Sequence, residues 1–221
     1  MSDTAEPGAE HGSGGSITVP GQGIVRVAPD IADLRLGVVS IRPTASAARA
    51  AAAGTMQAIL DALTATGIER RDLMTTMVGL DAVRDYASEG GPTVTGYQLT
   101  NTVGATIRRI DSVGTVIDAA LAAGATSMDG LLFGLADSTD ALAEARRRAV
   151  ADARSRAATL ATESGVVLGR VVTIVEGGVL SPGPPRPVAE FRMKAAADVA
   201  TPVEAGTSEM TIDVTVTYAI G

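Results

Sequence analysis

From Ala145 to Ala157 every fourth residue is alanine. Ala145, Ala149, Ala153 and Ala157, with Leu142 before them and Leu160 after, fall on one face of a helix expected over about residues 139–164. Residues four apart stack on the same side of a helix. Whatever packs against this face therefore meets almost nothing but methyl groups, which demands a very close approach to a sheet or to another helix. The whole chain is built in this style. Of its 221 residues 46% are hydrophobic but only 2% aromatic, so its core relies on Ala, Val, Leu and Ile.

Two other helices are legible. Met56, Ile59, Leu60 and Leu63 recur at helical spacing between Ser46 and Thr66, and Gly67 stands where a helix-ending glycine belongs. Val113, Val116, Ile117, Ala120 and Leu121 line a second helix, expected to be capped by Asp111 and closed by Gly124. Asp137 is expected to cap the third, and Gly165 to follow it. Period-two alternation marks strands near residues 24–28, 32–38, 127–135 and 171–176. A hairpin is expected from 73–86 and 93–107, and a last strand from Ile212, Val214, Val216 and Tyr218. The fold class is α+β: a mixed, largely antiparallel sheet with helices packed on a face. A ferredoxin-like βαββαβ element carries an extra helix and strands. Residues 1–15 read as a flexible polar tail and 16–221 as one domain, in which 178–206 is an excursion holding half of the ten prolines. Tyr97 and Tyr218 are expected to plug an alanine-rich core.

Gly21-Gln22-Gly23 raises the question of a phosphate loop. Such a loop needs a helix directly after its glycines, whose amides hold the anion. Here a strand follows, Arg26 takes the third glycine position and no Gly-Lys-Ser/Thr occurs. The pair is read as a bulge or bend between two strand segments.

Reactive side chains are scarce. There is no Cys or Trp, the one His is His11 in the tail, and the one Lys is Lys194 in the excursion. Thiolate chemistry, disulfides and Cys-ligated zinc are excluded. A net charge of −7 and a pI near 4.7 argue against nucleic acid or an anionic membrane as partner. No apolar run reaches the length that spans a bilayer. Asp81, Asp85 and Glu89 are the densest acidic group, read as solubilising residues beside a turn or else as a carboxylate or divalent-cation site. Arg108, Arg109 and Arg146–Arg148 either pair with neighbouring acids or gather an anion, and the Arg146–Arg148 run is alternatively a subunit contact. No catalytic, cofactor-binding or metal-binding residue is assigned. The polar first 16 residues do not read as a signal peptide, so a cytoplasmic location is expected; an exported form requires a leader already removed.

The segment from Ile17 to Gly23, then Pro29-Asp30 and its alternating strand, resembles the SIMPL-domain family. That group contains bacterial oxidative-stress-defence and immunogenic periplasmic proteins. The likeness continues through Gly67-Ile68, Asp72 and Thr75, then Leu121–Ala125, Gly130–Phe133 and Ala149–Arg154, to the strand after Gly206. It implies an α+β fold that assembles into homo-oligomeric rings or cage-like particles, without established catalytic residues. It also implies a link to stress tolerance in bacteria and to kinase signalling in an animal member. The expected function is thus a non-enzymatic, self-assembling protein whose partner is itself, with Phe191, Arg192 and Met193 of the excursion as contact residues. The alternatives are a small-ligand or anion-binding module, or a carboxylate-based enzyme.

Overall fold

The computed structural model describes residues 14–87, 91–177 and 201–221, which divide into two compact units. One contains β1 (Ser16–Val27), α3 (Thr139–Glu163), β6 (Leu168–Glu176) and β7 (Ser208–Ile220). The other contains β2 (Ile31–Arg42), α1 (Ala45–Ala65), β3 (Leu73–Asp85), β4 (Thr93–Ile107), α2 (Val113–Ala122) and β5 (Ser127–Gly134). The α+β class holds, with the extra helix and strands forming a sheet of their own.

The βαββαβ unit has strand order β3-β4-β2-β5 with every neighbouring pair antiparallel, the ferredoxin-like arrangement. Alternate residues of β2, from Ala32 to Val38, bury against Ile59 and Leu63 of α1 and Val116 of α2. Tyr97 packs at the margin of this core. The α1 helix is capped by Thr44, whose hydroxyl accepts the Ala47 N–H at 3.2 Å. Gly54 faces solvent on α1, and a Cβ there meets nothing within 4 Å. Gly54→Ala is therefore expected to stabilise the protein by about 0.5–1 kcal/mol through helix propensity. A thermal melt reads this as a rise of about 1–4 °C.

The three α-helices among the described residues end alike. Gly67, Gly124 and Gly165 have φ of +96°, +103° and +69°, a conformation open mainly to glycine. The N–H groups of Ile68, Ala125 and Val166 donate back to the carbonyls of Leu63, Ala120 and Ala161, which completes a Schellman closure each time. The starts differ from expectation. Asp111 lies in a short 3-10 turn, Ile110–Ser112, and Ser112 holds the cap position of α2 without a side-chain bond. At α3 the cap position falls on Ser138, one residue beyond Asp137.

In the first unit the sheet order is β1-β7-β6. Side-chain pairs Thr18–Thr217, Gln22–Asp213 and Arg26–Glu209 climb one strand as they descend the other, so β1 and β7 are antiparallel. Ala145, Ala149, Ala153 and Ala157 are fully buried beside Val19, Ile212, Val216 and Tyr218. The stripe continues into Ala161, whereas Leu160 points outward. The glycine pair explains how the helix comes so close. A Cβ on Gly23 would stand 2.6 Å from the Ala149 nitrogen, and one on Gly21 would stand 2.7 Å from Ala153 Cβ. The carbonyl oxygens of Ala145 and Ala149 lie closer still. β1 runs unbroken through both glycines, and neither has positive φ. They are not a bulge between two segments, as the sequence suggested, but the floor on which α3 rests.

Candidate functional site

The acidic group does not converge. Asp81 lies opposite Gln98 in the β3–β4 ladder, and four positions along an extended strand put Asp85 about 13 Å away. The Asp85 carboxylate accepts the Ala87 N–H at 2.9 Å. Glu89 lies outside the described residues. Among the described residues no three His, Asp or Glu side chains are placed to hold a metal ion.

The arginines are matched. Arg108 grips Asp72 through two bonds of 2.9 and 2.7 Å, and Arg109 donates to the Thr66 carbonyl at 3.3 Å. Arg146 binds Glu176 by its Nε and an Nη, while Arg147 and Arg148 share Glu144. Each carboxylate is held below its ordinary pKa, chiefly by the arginine hydrogen bonds. Reading them as ion-paired surface accounts for four of the five, and the fifth, Arg109, is held by a backbone carbonyl. A depression of about 640 Å³ is lined by Asp30, Thr66, Arg108, Arg109, Asp111 and Thr115, with Arg108 already engaged by Asp72.

Asp72 has a side chain only 8% exposed, so its pairing shows in acid. Its folded pKa lies below the ordinary 3.8, so its contribution is complete above that value and is lost as pH falls through the lower, folded one. Asp72→Asn is expected to lower the melting temperature at pH 7. The gap to the parent should narrow at pH 3, and an unchanged gap would contradict the assignment.

What remains is the open backbone of the strand edges. In the three-stranded sheet the β1 edge is occupied by α3. The Gln22 N–H donates to Asp152 Oδ2 at 2.9 Å, and Arg148 Nη1 donates to the Ile24 carbonyl at 2.8 Å. The Gln22 N–H is the main reason the Asp152 carboxyl is held low. Asp152 and this use of Arg148 escaped sequence reasoning, because neither residue is unusual until the helix lies over the strand. Among the described residues the opposite edge, β6, has no such cover: Val172, Ile174 and Val175 are each half exposed. In the four-stranded sheet β3 is an edge whose Met74, Met77, Val78 and Leu80 are likewise exposed. The expected contact residues Phe191, Arg192 and Met193 lie outside the described residues. The end of the excursion is visible, where Thr201 bonds the Asp118 carboxylate of α2 through its N–H and hydroxyl.

Residues 17–218 match the sequence model of SIMPL, described as a protein of unknown function (DUF541). The chain belongs to the SIMPL family. Among its SIMPL relatives is the 26 kDa periplasmic immunogenic protein of Brucella melitensis, 34% identical over 212 residues, covering 92% of this chain and 84% of the relative. The protein of the same name from Brucella abortus matches over the same extent. The uncharacterized protein YggE of Edwardsiella ictaluri is 28% identical over 166 residues, 75% of this chain and 70% of the relative. These relatives correct one expectation. The cytoplasmic location rested on the polar first residues, but the two Brucella proteins are named periplasmic, which points to the periplasm instead.

Proposed function

We propose that this SIMPL protein works without bond-making chemistry, by assembling with copies of itself into a ring or cage-like particle in the periplasm. Its bacterial setting would be the stress tolerance that the family resemblance implies. The observation that carries the reading is the apolar edge strands β3 and β6, uncovered among the described residues. Unpaired N–H and C=O groups flanked by aliphatic side chains form a template for another chain, and proteins normally blunt such edges. The β1 edge is blunted in this way by Asp152 and Arg148; among the described residues nothing does the same for β6. Three supports converge: the acids are dispersed, Arg108 and Arg146–Arg148 are ion-paired, and apolar side chains stand exposed along β3 and β6.

Negative-stain imaging of the purified protein tests it. Uniform closed particles are the expected result; a field without particles at micromolar concentration would overturn the reading. Fractionation of cells carrying the tagged gene with its natural upstream sequence tests the location, with recovery in the periplasmic fraction expected.

A further inference from the structure

The β6 strand reads almost the same in both directions. Around Thr173 the sequence Arg170-Val171-Val172-Thr173-Ile174-Val175-Glu176 has a β-branched pair on either side, with a cation at one end and an anion at the other. We propose that β6 of one copy pairs antiparallel with β6 of a second copy about Thr173, joining two three-stranded sheets into one of six strands. This rests on the self-assembly proposed above and names the surface that performs it.

An antiparallel pairing centred on Thr173 sets Val171 opposite Val175 of the second copy and Val172 opposite Ile174. Such β-branched cross-strand pairs stabilise sheets. It also sets Arg170 opposite Glu176, at both ends of the contact. Arg170 makes no ion pair among the described residues. Glu176 receives Arg146 but keeps lone pairs for a second donor. A two-fold contact requires a surface complementary to itself, and this segment is. β3 lacks that property: turned on itself about Gly79, it sets Met77 against Asp81.

The backbone agrees from Thr173 onward. The Gly177 N–H donates to the Asp213 carbonyl at 2.8 Å, so Gly177 turns its polar groups toward β7. Successive residues of a strand alternate, and from Thr173 to Glu176 the ladder with β7 is regular. Thr173 and Val175 therefore also face β7, while Ile174 and Glu176 present their N–H and C=O to the open side. Both register shifts in β6 lie before Thr173, so in each copy the regular half of the contact, Thr173 to Glu176, meets the irregular half, Arg170 to Val172, of the other. Across the two-fold, Thr173 meets its copy at a position without ladder bonds, where Cα atoms come within about 4.5 Å.

The absence of cysteine makes the test clean. Thr173→Cys, at an exposed position, puts the chain's one thiol on the axis. Mild oxidation is expected to convert it to a disulfide-linked species of twice the 22.2 kDa chain. Val171→Cys alone should not cross-link, because its own copy lies about 13 Å along the strand, beyond disulfide reach. The double variant Val171→Cys/Val175→Cys should cross-link again. If sedimentation shows an oligomer but Thr173→Cys stays unlinked, or if Val171→Cys links equally well, β6 pairing is wrong and self-assembly stands. If the parent protein is a monomer, both fall.

Discussion

Gly23→Ala is expected to cost at least about 3 kcal/mol, the upper part of the range for overpacking. The added methyl meets main chain, the Ala145 carbonyl and the Ala149 nitrogen, rather than a side chain that could swing away. Relief requires α3 to lift from β1 along the alanine stripe, which opens the contacts of Ala149 and Ala153 with the sheet. In a chain of this size the melting temperature should fall by about 6–12 °C. Hydrogen exchange should show β1 and α3 losing protection together. Gly21→Ala should behave similarly against Ala153. A change below 2 °C in both variants would mean that the helix does not rest on the glycines.

The second large effect is expected in the other unit. Ile59 of α1 is fully buried among Leu34, Val103 and Val116. Ile59→Ala removes three carbons from that core and should destabilise by about 2–5 kcal/mol. The upper part of that range is favoured because the neighbours are mostly β-branched or alanine, with few torsions by which to fill the hole. Met56 is the adaptable exception, since its flexible side chain can swing into gaps. A denaturant titration should show a lower midpoint with an unchanged slope. A loss under 1 kcal/mol would place Ile59 at a site that collapses freely.

Much of the fold was legible because it is written in local patterns. The three glycines at the helix ends and the alternation of β2, β4 and β7 need only near neighbours, so their elements appeared within a few residues of expectation. The strand order of the ferredoxin-like unit followed from the order of its elements. The meaning of Gly21-Gln22-Gly23 was not legible, because it depends on α3, more than 120 residues later in the chain. Two signals, a glycine pair and an alanine stripe, were each visible but belonged to one contact. The same distance hid Asp152 and Arg148 as guards of the β1 edge. The exposure of β6 was also hidden, since a β-branched run reads alike whether it sits at the centre of a sheet or at its margin. The location was misjudged for a different reason: it was argued from the polar character of the first residues rather than from anything in the folded part.

Sedimentation velocity of the unmodified protein at micromolar concentration is the most direct test of whether the open edges are its working surface. The expected result is a single boundary at a multiple of the 22.2 kDa chain mass, stable on dilution. A boundary at the mass of one chain, with β3 and β6 left facing water, would contradict it.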